Sequence, residues 1–277
     1  MRTGSTWRSI GLTTSPKCTA VLPPTISPPP GGHLMTAEIL LIVAGAFAGG
    51  LVNGLTGFGT GMTALVLWLH ALPVTVAATL VLVCSVVAQL QSLPSIWHAL
   101  DWRRLAPFLI GGLIGIPLGT WLLVMVSVQT VKLGVGIVVT AYCTVMLLGS
   151  YRPTVHWGGR IADGIVGLAG GILGGLAGLS GALPTIWASL RGWGKDARRA
   201  IFQGFNLTIL TVSLMGHAAA GRGTAELGRA VLFALPGTLI GAFIGQRIYR
   251  RLDDHRYDRL VLAILLVAGL TLLWSSL

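Results

Sequence analysis

The hydrophobic pattern of this chain is a series of long apolar runs separated by short polar punctuation. From residue 36 onward it predicts eight helical elements, at about 36–72, 74–96, 105–126, 130–149, 161–190, 200–220, 230–249 and 260–274. The unbroken runs are close to the ~20 residues that cross a bilayer core. None alternates with the period of two expected of a strand, and none has the polar-in pattern of an outer-membrane barrel. The fold class is therefore all-α, in a polytopic membrane protein. Trp97, Trp102, Trp121, Trp157, Trp193 and Trp274 fall at or near run ends, where interfacial aromatics belong.

Two of the runs are interrupted in the same way. Residues 48–61 read AGGLVNGLTGFGTG, and residues 169–182 read AGGILGGLAGLSGA, at an offset of 121. Glycine at this density works against a continuing helix, at roughly 1 kcal/mol per residue relative to alanine. A second repeated feature is a glycine ladder at spacing four, Gly111, Gly115, Gly119 and Gly237, Gly241, Gly245. Such ladders let helices approach closely in lipid. The chain thus divides into a repeat over 35–150 and another over 151–277, each a broken element followed by three spans.

Composition agrees. Only 10% of residues are charged and 53% are hydrophobic, where soluble domains carry about 25% charged residues. Residues 1–34 differ: they hold six prolines and many Ser and Thr, and read as a disordered tail without the apolar core of a signal peptide. Met35 directly precedes the first span and leaves Met1 and Met35 as alternative starts.

The net charge of +11 points to topology before nucleic acid, because the basic residues gather in short loops between apolar runs. If all eight elements simply cross, the two sides carry 10 and 6 loop charges; if each broken element dips in and returns, they carry 13 and 3. The second arrangement obeys the positive-inside rule. It places the loops near 103, 152–160, 191–199 and 247–259 in the cytoplasm. The repeats are then inverted, with re-entrant broken elements, as in many secondary transporters.

The polar inventory of the runs narrows the chemistry. Every one of the eight acidic residues lies at a run end or in a loop. Cation carriers and proton relays place a carboxylate mid-span, so a metal-ion carrier is disfavoured. No HExxH, EF-hand loop or Cys/His cluster occurs, and Cys18, Cys84 and Cys143 show no CxxC spacing. No metal, cofactor or enzymatic activity is expected. What remains near the breaks are uncharged donors and glycines: Asn53, Thr56, Gly57, Gly59 and Thr60 in the first, Ser180 and Gly181 in the second. Gln203 and Asn206 on a neighbouring span are placed to close the sides. Helix N-termini at the breaks expose N–H groups and partial positive charge, and glycine grants access to that backbone. This is an anion cradle that needs no buried Arg or Lys. Close packing alone is the competing reading of the same glycines. His70 and His217, near run ends, are the first candidates if transport is proton-coupled.

These residues resemble the TauE/SafE family of membrane transporters. The likeness rests on Gly49-Gly50 and Gly54-Leu55-Thr56-Gly57-Phe58-Gly59-Thr60-Gly61, followed by Pro73 and Ala77-Ala78. It continues in Gly170-Gly171, Gly175-Leu176-Ala177-Gly178-Leu179-Ser180-Gly181, Pro184 and the late glycine ladder. It spans about 44–273. The family pattern has a triple-glycine run with a proline shortly after; here Phe58-Gly59-Thr60-Gly61 interrupts the first run and 62–67 has no proline. The resemblance implies a multi-pass inner-membrane permease for a small anion, sulfite or an organosulfonate. Its partners would be the lipid bilayer and that anion, with no nucleic acid. The alternatives are a carrier of another small solute, and a membrane enzyme or accessory subunit that would consume a substrate without moving it. In a chain stripped of its native cysteines, Lys195→Cys and Arg222→Cys are expected to be labelled from opposite faces of the membrane; labelling from one face contradicts the re-entrant arrangement.

Overall fold

A computed structural model of the protein describes residues 36–122, 128–148, 155, 157–177 and 180–274. The tail 1–34, the ends of the third and fourth runs, and Gly178 and Leu179 of the second glycine stretch lie outside the described residues. Ten α-helices and two short 3-10 helices (Leu93–Ser95 and Trp97–Ala99) are present among the described residues, with no strand. In chain order they are α1 (Thr36–Thr56), α2 (Thr60–Trp68), α3 (Val74–Ser92), α4 (Trp102–Leu122), α5 (Val128–Leu148), α6 (Gly159–Ala177), α7 (Ala182–Leu190), α8 (Lys195–Ala219), α9 (Ala225–Arg251) and α10 (Asp254–Trp274). The two interrupted runs are the pairs α1–α2 and α6–α7. Each of the other six runs is a single helix.

Each interrupted run is a long helix followed by a nine-residue helix that doubles back along it. Trp68 near the end of α2 donates from Nε1 to Ile42 O at 3.0 Å, close to the start of α1. Between these ends, a Cβ on Gly49 would lie 3.1 Å from Cβ of Ala64. In the second run Trp187 of α7 donates from Nε1 to Asp163 Oδ1 near the start of α6, at 2.7 Å. Small residues on the long helix and a tryptophan on the short one thus set both hairpins.

The glycine ladders form the seams between helices. On α1, a Cβ at Gly50 would lie 2.9 Å from Thr238 Cα, and one at Gly54 would lie 2.7 Å from Ala242 Cα. From the other side, Gly241 and Gly245 of α9 face the backbone of Leu51 and Leu55, each at 2.8 Å from the nitrogen. The contacts advance by four residues on both helices in the same sense, so α1 and α9 run parallel. α4 and α6 repeat this arrangement. Gly111 and Gly115 meet the backbone nitrogens of Leu168 and Ile172, and Gly167 and Gly171 meet Cα of Phe108 and Gly112. Nothing larger than hydrogen fits at these positions, which is how backbones come close enough for dispersion to hold helices together in lipid.

Further packing interweaves the chain. α5 lies against α10, and α3 against α8 and α9. Gly204 of α8 faces Leu105 of α4, and Gly112 of α4 faces Phe205 and Ile209 further along α8, so these two helices are also parallel. One core closes around Trp68, Ile42, Leu80 and Cys84; another joins Phe58, Phe202, Tyr249 and Tyr257. The outer surface is apolar. Leu40, Ile110, Ile114, Ile137, Val145, Leu232, Ile240, Phe243 and Val267 are all exposed, which is expected where lipid is the solvent. Among the described residues, Thr36–Thr56, Val74–Ser95 and Ala225–Arg251 are each long and apolar enough to cross a membrane.

The seams carry a direct test. Gly241→Ala and Gly115→Ala force a methyl into facing backbone and are expected to destabilise the protein by about 1–3 kcal/mol. Gly216→Ala, with nothing within 4 Å, is expected to be neutral or stabilising. Thermal melting in detergent reads the difference.

Candidate functional site

At the first break α1 ends on a compact polar turn. Gly57 N–H donates to Asn53 O at 2.6 Å as the last helical bond. The Thr56 hydroxyl lies 2.8 Å from both Val52 O and Phe58 O and accepts from Phe58 N–H at 3.3 Å. Gly57 and Gly59 turn the chain with φ of 87° and 94°, values that L side chains adopt only with strain. Asn53 then reaches across the turn and donates from Nδ2 to Thr60 Oγ1 at 2.8 Å, at the start of α2. Asn53, Thr56 and Thr60 are all buried. Asn53 Oδ1 is buried and makes no hydrogen bond.

The residue that sequence reasoning missed here is Arg199. Its place in the charged segment 191–199 made it a cytoplasmic loop residue, and the predicted cradle contained no cation. Instead α8 begins at Lys195, so Arg199 lies on the helix and is fully buried at 0% exposure. Its Nη2 donates to Gly54 O at 2.6 Å, and its Nε donates to Gln203 Oε1 at 3.3 Å. Its guanidinium carbon sits 3.8 Å from the centre of the Tyr249 ring. No carboxylate pairs with it among the described residues, and Nη1 is buried without a partner. The neighbouring arginines are different. Arg198 pairs with Asp258 at 2.5 Å, and Arg191 with Asp163 at 3.4 Å. The available signal was spacing: Arg199, Gln203 and Asn206 follow one another at four and three residues, one face of a helix.

Gln203 completes the first group. It accepts from Arg199 and donates from Nε2 to Gln89 O at 3.0 Å and to Ser92 Oγ at 3.2 Å. A Cβ on Gly57 would stand 3.1 Å from Phe202 and 3.4 Å from Gln203 Oε1. The Gln89 side chain is fully buried, and neither its oxygen nor its nitrogen has a partner. Tyr257 donates to Thr56 O at 3.2 Å and stacks edge-on with Tyr249.

The second break is quieter. Ser180 donates to Asn206 Oδ1 at 2.8 Å, and Thr185 donates to Gly181 O at 2.6 Å. A Cβ on Gly181 would lie 2.7 Å from Asn206 Nδ2. The structure thus gathers Asn53, Thr56, Gly57, Thr60 and Gln203 at one break, and Ser180, Gly181 and Asn206 at the other. Gly59 belongs to the first turn but faces Val52, not the polar group. The sequence reads both breaks as parts of one anion cradle. Among the described residues no hydrogen bond joins them; α8 connects them, with Arg199 and Asn206 about 10 Å apart along its axis. The histidines stand apart from both groups. His70 Nδ1 lies 2.7 Å from Val66 O, and His217 bridges Thr79 and Arg222.

An apolar exterior around polar groups collected at helix breaks is the construction of a membrane transporter. The family model described as Sulfite exporter TauE/SafE matches residues 41–272, and the chain belongs to this family of membrane transporters. No curated protein and no solved structure matches the chain.

The first turn depends on glycine at its tightest point. Gly57→Ala is expected to cost about 1–3 kcal/mol from the left-handed backbone, and to press on Phe202 and Gln203. A lowered melting temperature would show this; an unchanged one would mean that the turn has other accessible geometries.

Proposed function

We propose that this protein carries a small oxyanion, sulfite or an organosulfonate, across the inner membrane by alternating access, and that Arg199 at the first break supplies the positive charge that recognises it. The observation that carries this reading is the buried guanidinium with no carboxylate in contact: Asp196, held by the Tyr249 hydroxyl, acts on it only through space, and Nη1 has no partner. Burying a cation without a counter-ion in contact costs several kcal/mol. Here it is offset in part by the Gly54 carbonyl, the Gln203 amide oxygen and the Tyr249 ring. The free Nη1 still lacks an acceptor, and an anion oxygen is the acceptor that also cancels the charge. Asn53 Nδ2, the Gln89 amide and the N–H groups at the start of α2, which has no side-chain cap, are the neutral donors best placed to complete the shell. Asn206, Ser180 and Gly181 would form a second station further along α8.

The same reading accounts for topology. α1 runs parallel to α9, and α6 and α8 run parallel to α4. α8 and α9 are joined by the short turn around Gly221 and so run in opposite directions. These senses favour two inverted repeats with re-entrant hairpins in a multi-pass protein. The boundaries would fall near 35–150 and 151–277. The first break then lies toward the arginine-rich end of α9, on the cytoplasmic side.

Passage requires opening. Beside the site, α5, α7, α8 and α10 enclose a cavity of about 40 Å³ that Tyr142, Thr185, Arg198, Phe202 and Tyr257 line. That is room for a few waters at most. The start of α8 is held to the α9–α10 corner by Arg198–Asp258, by Lys195 donating to Leu252 O and by Tyr249 donating to Asp196. Release of these contacts would open a cytoplasmic path to Arg199.

Reconstituted vesicles test the proposal. Wild-type protein is expected to accumulate labelled sulfite or a sulfonate. Arg199→Gln, which removes a charged hydrogen bond worth about 1.5–3 kcal/mol, is expected to cut uptake by roughly ten- to a hundredfold. Asn53→Leu is expected to reduce it as well, and Arg199→Lys to retain part. Full uptake by a folded Arg199→Gln protein contradicts the assignment.

A further inference from the structure

A second basic site lies away from both breaks, where the starts of α4 and α6 meet the end of α7. It is an open pocket of about 440 Å³ lined by Arg103, Arg104, Arg160 and Arg191, with Asp101, Asp163 and Trp193 among its other walls. Four guanidiniums against two carboxylates leave it two positive charges in excess. The arginines divide into two kinds. Arg191 is committed to structure: it pairs with Asp163 and donates to Trp157 O and Gly159 O at 3.4 and 3.3 Å. Arg104 pairs with Asp101 at 3.1 Å and lies over the Trp193 ring. Arg103 and Arg160 are exposed, and neither guanidinium makes a hydrogen bond or ion pair among the described residues.

The surroundings indicate what those two arginines meet. Trp97 and Trp102, packed edge to face, and Trp157 lie beside the pocket in sequence and are 56%, 58% and 74% exposed. Exposed tryptophans of this kind sit at the headgroup level of a bilayer. Below the pocket, Ile110 and Ile114 of α4 and Ile161 and Ile165 of α6 are all exposed. Each pair is spaced at four residues, so each helix turns an apolar stripe outward. A cationic pocket at headgroup level above an apolar face matches a molecule with a phosphate at one end and acyl chains at the other.

We propose that this pocket binds the phosphate of an anionic phospholipid, with Arg103 and Arg160 as its ligands and the α4–α6 face as the bed for its chains. The pocket shares no residue with the transport site, so the proposal stands independently of the function assigned above.

The test uses the full chain purified in neutral detergent and titrated with phosphatidylglycerol, phosphatidylcholine or inorganic phosphate, read by native mass spectrometry and thermal melting. Phosphatidylglycerol is expected to bind and stabilise, and phosphatidylcholine to do so weakly. The double variant Arg103→Gln/Arg160→Gln is expected to lose affinity by about fivefold for each charge removed, whereas Arg103→Lys/Arg160→Lys retains most of it. On the unmodified chain, added salt is expected to weaken phosphatidylglycerol retention selectively. Equal affinity for the two lipids, or unchanged affinity in the double Gln variant, overturns the proposal. Stabilisation by inorganic phosphate that matches phosphatidylglycerol overturns the lipid as the source.

Discussion

In hydrocarbon, a helix that stops must pass its last carbonyls to another donor, because no water is there to take them. α1 stops at Thr56 among buried residues, and the donor for Gly54 O is the Arg199 guanidinium from a helix 145 residues further along the chain. That bond ties the turn at the first break to α8, far along the chain. It also fixes a cation in a place where no carboxylate touches it, Asp196 standing behind the Tyr249 hydroxyl. Tyr249 and Tyr257 close around the same point, one under the guanidinium and one on Thr56 O. The break, its support and its charge are therefore one arrangement.

The glycine seams make this arrangement reachable. Gly54 serves both the seam and the site: it has no Cβ to block Ala242, and its carbonyl receives Arg199. Close approach of α1 to α9 brings Tyr249 to the level of the break. The parallel seam between α4 and α6 carries the second hairpin in the same manner. Small residues in the seams, and not large apolar ones, set the distances on which the site depends.

Much of this was legible in the sequence. Apolar run lengths marked all the helical elements, and the glycine echo at 48–61 and 169–182 marked both interruptions. The ladders at spacing four were read as helix contacts, and they are the α1–α9 and α4–α6 seams. Asn53, Thr56, Gly57 and Thr60 do share one turn, because a short interruption keeps its own residues together. Long-range neighbours were harder. Charge counting treats an arginine near a run end as loop, since it cannot see where the helix begins. α8 starts at Lys195, several residues before the apolar run at 200, and this carries Arg199 inward. The glycine echo marks two breaks but does not specify how α8 serves them, with Gln203 beside Gly57 of the first and Asn206 beside Gly181 of the second.

The central claim is that the buried Arg199 guanidinium, with its partnerless Nη1, selects an anion at the first break. Anion-dependent thermal stabilisation tests it most directly, comparing sulfite, thiosulfate, sulfoacetate, taurine and simple carboxylates on wild-type and Arg199→Gln protein. The account predicts a concentration-dependent rise in melting temperature with at least one sulfur oxyanion in the wild type, and its loss in Arg199→Gln. Equal stabilisation of both proteins, or none of the wild type by any anion, would contradict it.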